Sequence, residues 1–238
     1  MRIHRALRSS VTVAAAALLV SSITPLSGGA AQASCPVLGG FGGNAGYGTG
    51  IVPKSDDGSS SSIDVSSVFP NGIGYFGSTF GSIYINVNGN ITFEYPLSTY
   101  TPYPFPVTGT PMIAPWFADV DTRSEYGSLN NIYYHFDTAG KRFVITWYQV
   151  DYFAQQHAPG TNTFQLILTN RDNVAVGDFD VEFRFQTINW TTGDASGGSG
   201  GFGGTPAQVG FNAGNGVDYA SHPYSRTSSV VNIEDAAS

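Results

Sequence analysis

Ser82-Ile83-Tyr84-Ile85-Asn86-Val87-Asn88-Gly89-Asn90-Ile91-Thr92-Phe93-Glu94-Tyr95 is the stretch from which the fold is read. Ile83, Ile85 and Val87 alternate on the way into Asn88-Gly89-Asn90, and Ile91, Phe93 and Tyr95 alternate on the way out. A period of two marks strands with one buried face, and Asn-Gly between two such runs marks a hairpin. A two-residue turn would set Val87 against Asn90 and Ile91 against Asn86, dividing the apolar side chains between the two faces. A three-residue loop pairs Val87 with Ile91 and Ile85 with Phe93, so that both strands bury one common face. The pattern therefore predicts a three-residue turn with Gly89 or Asn90 in the left-handed conformation.

Beyond the hairpin, Pro96, Pro102, Pro104, Pro106 and Pro111 forbid a long helix or a central strand between residues 96 and 111. That segment reads as a surface crossover, and Tyr100, Tyr103 and Phe105 between its prolines are candidates for an exposed aromatic platform. Ile113 to Arg123 follows, an apolar run ending in Asp119 and Asp121, which an extended backbone would point to the same side. Asn131 to Phe136 and Arg142 to Phe153 form a second predicted hairpin around Asp137-Thr138-Ala139-Gly140-Lys141. Phe143, Ile145 and Trp147 lie on one side of the later strand; Val144, Tyr148, Val150 and Tyr152 lie on the other, as in a central strand covered on both faces.

Thr163 to Thr169 reads as a further strand. Phe179, Val181, Phe183 and Phe185 then alternate with Asp180, Glu182, Arg184 and Gln186 in a half-buried strand. Trp190 is expected to cap the core, Pro206 to Asn212 to resume a strand, and Val230 to Ile233 to form a last short one. With no repeat period and no second domain, the expectation is an all-β fold, an antiparallel β-sandwich with long Gly/Pro-rich loops, its sheets joined across the face of Phe179, Val181, Phe183 and Phe185.

The ends set the compartment. Arg2, Arg5 and Arg8 precede an apolar run from Val11 to Val20, and Ala31-Gln32-Ala33 supplies small residues for cleavage before Ser34. Residues 1–33 are thus expected to be a signal peptide, too short in its apolar part to remain as a membrane span. Residues 34–62, rich in Gly and Ser and containing Asp56-Asp57-Gly58, are expected to form a flexible N-terminal arm, with the β-domain at 63–238. The one cysteine, Cys35, has no intrachain partner, so the domain must stand on its core rather than on disulfides. Gln32 stands three residues before Cys35 where lipoprotein leaders carry leucine, which favours a free or intermolecular thiol over lipidation.

The formal charge of −7 becomes −10 when the leader and its three arginines are removed. So few basic residues exclude a nucleic-acid or anionic-membrane footprint. Asp119 and Asp121, with Glu125, are candidate hard oxygen ligands for Ca²⁺, which takes six to eight such atoms. Arg123 offers the competing account, an ion pair that holds the loop without metal. Glycoside hydrolysis also needs two carboxylates, yet nothing marks a second catalytic strand end. No G-x-S-x-G elbow supports a serine hydrolase, and a single cysteine with scattered histidines gives zinc no support. Asn90-Ile91-Thr92 and Asn189-Trp190-Thr191 match the N-glycosylation pattern, with Asn90 at a turn where a glycan would fit.

The hairpin stretch, Ile113 through Arg123, Val144-Ile145-Thr146-Trp147-Tyr148-Gln149-Val150, Asn162 through Leu168, Ile188 through Gly193 and Val209-Gly210-Phe211-Asn212-Ala213-Gly214 occur in one order. Taken together they resemble the NIDO domain family, an extracellular β-rich module. The resemblance implies a secreted or surface β-rich module of cell–matrix adhesion. The expected function is therefore non-enzymatic, adhesive or scaffolding contact with an extracellular-matrix or cell-surface protein or glycan; self-association through unprotected edge strands or Cys35 is a further option. A secreted hydrolase acting on polysaccharide is the alternative from another class.

Overall fold

The computed structural model describes residues 47–125 and 130–234. The expected leader, Cys35 and residues 34–46 of the expected arm lie outside the described residues. In chain order the strands are β1 (Gly50–Ile51), β2 (Ile63–Asp64), β3 (Ile73–Tyr75), β4 (Ser78–Phe80), β5 (Ser82–Asn86), β6 (Asn90–Thr92), β7 (Met112–Phe117) and β8 (Val120–Asp121). They continue with β9 (Asn131–Asp137), β10 (Arg142–Tyr152), β11 (Asn162–Asn170), β12 (Phe179–Thr187), β13 (Gly198–Ser199), β14 (Phe202–Gly203), β15 (Gln208–Asn212) and β16 (Tyr219–Ser221).

Two antiparallel sheets face each other. One runs β1-β9-β10-β11-β12, with β8 paired to the far end of β10; the other runs β16-β15-β7-β6-β5-β2. Ile83, Ile85, Ile91, Ile113 and Trp116 of the second sheet share one buried cluster with Phe143, Ile145, Trp147, Leu166 and Leu168 of the first. The antiparallel β-sandwich read from alternation is the fold. Trp147 ties the layers by a hydrogen bond as well, its indole Nε1–H donating to the carbonyl of Val87 at 3.1 Å. A smaller cluster of Phe105, Met112, Ala114 and Phe117, with Leu97 and Tyr103 against it, anchors the Pro-rich crossover to the second sheet. Among the described residues no helix is long and apolar enough to cross a membrane.

The hairpin has the expected loop length but another register. Asn86 pairs with Asn90, Ile85 with Ile91 and Tyr84 with Thr92, so Val87-Asn88-Gly89 is the loop. A shift of two residues leaves every side chain on its face, and Ile83, Ile85, Val87, Ile91 and Phe93 are all buried as one set. Polar side chains select this register: Asn86 Nδ2 donates to Asn90 Oδ1 at 2.7 Å and to Thr92 Oγ1 at 3.1 Å, so three buried polar residues satisfy one another. Gly89 takes the left-handed conformation, at φ 74°.

Elsewhere the strands depart from the sequence reading in several places. The pairing of β10 with β11 shifts between Trp147 and Val150, where Gln149 has φ 51° and its N–H donates to Thr163 Oγ1. This bulge changes the phase, so Val150 and Tyr152, read as opposite Trp147, join the same core cluster. Phe179, Val181, Phe183 and Phe185 do pack on the core, but from the outermost strand; the sheets meet centrally through β10 and β11 against β6 and β7. Residues 228–232 form a 3₁₀ turn in place of the expected last strand, closed by Val230 N–H to Thr227 O and Ile233 N–H to Val230 O.

The stretch expected to be a loose arm enters the described residues at Tyr47 and lies on the sheets. Gly50 and Ile51 pair with Tyr134 and Tyr133, Val52 is buried, and Tyr47 stacks near Tyr148 with ring centroids 4.5 Å apart. Of the two glycosylation matches, Asn90 is completely buried in the hairpin network, where no glycan fits. Asn189 is half-buried and its amide donates to Thr161 O.

Trp190 does cap the core, held by Asn162. The Asn162 amide donates to Trp190 O at 2.8 Å, while its Oδ1 accepts the N–H groups of Asn189 at 2.7 Å and Trp190 at 3.1 Å. Asn162→Ala removes three hydrogen bonds from backbone, two of them at the buried Trp190, where each orphan costs roughly 1–3 kcal/mol. The expected result is a loss of about 3 kcal/mol in urea unfolding, with Trp190 fluorescence moving toward that of an exposed indole.

Candidate functional site

One end of the sandwich gathers most of the polar chemistry. The Ser55-Asp56-Asp57-Gly58 turn, the hairpin tip at Asn88, the segment Ala118 to Ser124 after β7, the end of β10 and the turn at Gly193 to Ala195 all meet there. Ser55 is fixed from both sides, its N–H donating to Thr122 Oγ1 at 2.9 Å and its carbonyl accepting from Thr122 N–H at 3.0 Å. The hairpin tip locks the segment after β7: Asn88 O accepts Ala118 N–H, and Asn88 Oδ1 accepts Val120 N–H at 2.9 Å.

The two carboxylates read as neighbours on one face take different partners. Ala118 forms a bend between β7 and β8, so the backbone is not extended through this segment. Asp121, fully buried, accepts from Arg123 Nε at 2.9 Å on Oδ1 and from Arg123 Nη2 at 2.6 Å on Oδ2, with the Arg123 and Gln155 backbone N–H groups adding two more bonds. This bidentate pair is the ion-pair account of Asp121, and the Arg123 guanidinium also reaches Asp56 Oδ2 at 3.0 Å. Glu125 is exposed and directly precedes the undescribed residues 126–129.

Asp119 instead joins Asp56 and Asp57. One oxygen from each of the three lies within 4.8 Å of the other two. Asp119 is 1% exposed; a backbone N–H at Ala195 donates to its carboxylate, and Asp119 Oδ2 has no hydrogen-bond partner. Asp56 Oδ1 is likewise buried and unpartnered, while Asp57 Oδ1 accepts the Asn88 amide at 2.9 Å. Burial, and then the charges of Asp56, Asp57 and Asp121, push the Asp119 carboxyl up to about 7. Asp56 is pushed up to about 6 by burial and by Asp121 and Asp57, against the pull of Arg123. Burial together with this mutual repulsion marks a place where a positive charge would be welcome.

Of the three carboxylates proposed from sequence as calcium ligands, the structure therefore brings Asp119 into a three-carboxylate group and leaves Asp121 on Arg123 and Glu125 apart. Asp56 and Asp57 were missed as site residues. Their signal was an Asp-Asp-Gly turn more than sixty residues upstream of Asp119, which nothing local connects to it.

Next to this group, Asp151 is buried and bonds His157 Nδ1 through Oδ1 at 2.9 Å, with Asn130 Nδ2 at 3.3 Å from Oδ2. Burial raises the Asp151 carboxyl, against the hydrogen bonds from Ser124 and His157. The aromatic platform expected on the crossover is divided. Phe105 is buried and Tyr103 packs edge-on to Phe117, whereas Tyr100 is exposed, as is Tyr95 on the wall of a cleft of about 60 Å³ lined also by Thr92, Glu94, Pro96, Leu97 and Pro111. That volume is far below the roughly 300–1,000 Å³ of an enclosing small-molecule site.

Residues 81–238 match the family model of the nidogen-like domain, NIDO. The alpha-tectorin of Mus musculus is 37% identical over 212 residues, covering 77% of this chain and 9% of its own length. The alpha-tectorins of Gallus gallus and Homo sapiens are each 36% identical, over 209 and 212 residues, with the same coverage. The chain thus spans about a tenth of the length of these curated relatives. No solved structure matches it at a significant level.

Proposed function

The chain belongs to the nidogen-like domain family, and from that premise we propose that it works outside the cell as a non-catalytic contact module, adhesive or scaffolding, for an extracellular-matrix or cell-surface protein or glycan. The observation that carries this reading is the extent of the family match, which takes in both sheets from the last residue before β5 onward. Physically the role suits the architecture, since loops carried on a tightly packed sandwich keep their shape and lose little entropy when they bind.

Two features of the surface support contact without turnover. Tyr95, 74% exposed, lines a shallow cleft, and Tyr100 is exposed on the crossover that follows it; an aromatic face so placed can lie flat on a sugar ring or an apolar side chain but cannot enclose it. At the acidic end, Asp121 is neutralised by Arg123 rather than set opposite a second carboxylate across a substrate groove. Self-pairing through β12 is discouraged by its ion pairs, Arg171 with Asp180 and Arg184 with Glu182, which charge the outer strand of the first sheet.

The test is binding of the purified protein to immobilised matrix proteins and to a panel of polysaccharides, with release of reducing ends followed in parallel. Saturable binding without release is expected, and Tyr95→Ala combined with Tyr100→Ala should weaken it about tenfold while leaving the unfolding midpoint unchanged. Release of reducing ends, or absence of saturable binding to every surface, would refute the proposal.

A further inference from the structure

Among the described residues, five buried side-chain N or O atoms lack a hydrogen-bond partner, and three of them, Ser55 Oγ, Asp56 Oδ1 and Asp119 Oδ2, belong to the acidic end. Native proteins rarely leave buried oxygens unsatisfied, and a cluster of them on carboxylates calls for a ligand that such oxygens prefer. The three carboxylates of Asp56, Asp57 and Asp119 offer oxygens within 4.8 Å of one another, the span of two ligands on opposite sides of an ion held at about 2.3–2.6 Å. We infer that Asp56, Asp57 and Asp119 form a calcium site that fastens the 55–58 turn to the end of β7.

The donor set decides the class of ion. All the candidate atoms are carboxylate or hydroxyl oxygens, which suit a hard cation; the neighbouring His157 is engaged with Asp151. Asp119 is rigidly placed by the Ala195 N–H, Asp57 is oriented by the Asn88 amide, and Asp56 gives its other oxygen to Arg123. Each carboxylate therefore keeps one oxygen for the ion. Asp56 and Asp57 are only half-buried, so water can complete a coordination shell of six to eight, which favours calcium over the stricter octahedron of magnesium. The fastening joins elements far apart in sequence, the turn before β2 and the segment between β7 and β8. It adds to, and does not depend on, the contact role proposed above.

The experiment is thermal unfolding of the purified protein at pH 7.5 after chelation, titrated with CaCl₂ and in parallel with MgCl₂, for the wild type, Asp119→Asn and Asp57→Asn. At calcium ten times its dissociation constant the wild type should gain about 3–6 °C. Asp119→Asn should fold and show no calcium response, and Asp57→Asn, changed at a half-buried position that stays folded if the core variant does not, should weaken calcium at least tenfold. A wild-type midpoint unmoved by 10 mM calcium, an equal shift with magnesium, or a full calcium response in either variant would overturn the inference.

Discussion

Gly89→Ala is expected to be the most damaging small substitution in the protein, leaving little folded material at 37 °C. Gly89 sits at φ 74°, and a Cβ added there would lie 1.8 Å from Trp116 O and 2.7 Å from its carbonyl carbon. The neighbour is backbone, so it cannot swing aside as a flexible side chain would. Relief requires moving the hairpin tip away from β7. That breaks the bonds from Trp116 N–H to Gly89 O and from Ala118 N–H to Asn88 O, and it draws Val87 O away from Trp147 Nε1. The left-handed conformation alone costs an alanine about 1 kcal/mol, overpacking adds about 1–3, and the orphaned buried groups add more. A total of at least 4 kcal/mol is a large part of a typical stability of about 5–15 kcal/mol. Gly109→Ala supplies the control, since Gly109 also has positive φ, at 81°, with nothing within 4 Å of an added Cβ. It should cost only the conformational part. Guanidinium unfolding curves would measure both, and equal losses at the two positions would show that the approach to Trp116 is not what requires glycine at 89.

That same hairpin shows how far alternation carries. Period-two runs at 82–95, 131–153, 163–169 and 179–185 gave the strands and the buried face because burial of one side is a local, repeating constraint. Register is not local. Asn86, Asn90 and Thr92 look like solvent-facing polar residues in the sequence, and they are buried because the start of the Pro-rich crossover folds back over this face of the hairpin, Leu97 N–H donating to Asn86 Oδ1 and Thr92 Oγ1 to Tyr95 O. The bulge at Gln149 is equally silent, because one inserted residue leaves composition unchanged while reversing which side chains face inward. At the C-terminal end Val230-Val231-Asn232-Ile233 has strand composition, yet Val230 and Ile233 sit three apart and bury together on a 3₁₀ turn.

The acidic end was half legible for a related reason. Asp119 and Asp121 stand out because two carboxylates close an apolar run, and Arg123 beside them announces the ion pair that Asp121 makes. The bend at Ala118 decides which of the two is left for other partners, and it arises from the hairpin tip bonding the backbone at Ala118 and Val120. Asp56 and Asp57 sit in a Gly/Ser-rich stretch that composition assigns to a loose arm. What holds them is the exchange of bonds between Ser55 and Thr122, a contact spanning 67 residues.

Without calcium, these carboxylates should make the protein less stable as pH rises from about 4 to about 7, the reverse of ordinary acid denaturation. The Asp119 carboxyl is pushed up to about 7 in the folded chain, from its ordinary value of 3.8 when unfolded. Below both values the carboxyl is protonated in either state and contributes no difference. Between them the folded state holds a proton that the unfolded state has released, so stability falls with rising pH; above about 7 both are ionised and the full penalty remains. A shift of about three units corresponds to at most about 4 kcal/mol. Asp56, raised to about 6, and Asp151, raised by burial, act in the same direction. Asp137 and Asp172, lowered chiefly by hydrogen bonds from Gly140 and Asn170, act in the opposite direction, but their stabilisation is lost only as pH falls below the usual carboxylate range. Calorimetry in chelator should therefore place the highest midpoint near pH 4–5, with a decline of several degrees by pH 7.5. Asp119→Asn, which keeps the shape and removes the charge, should flatten most of that decline and raise the midpoint at pH 7.5. Calcium should restore the wild type most strongly at the pH where its chelated form is weakest, because the ion replaces the protons that Asp119 and Asp56 have lost. A chelated wild type that instead grows more stable from pH 5 to 7.5 would mean that Arg123 already compensates the cluster, leaving no charge deficit for a cation to fill.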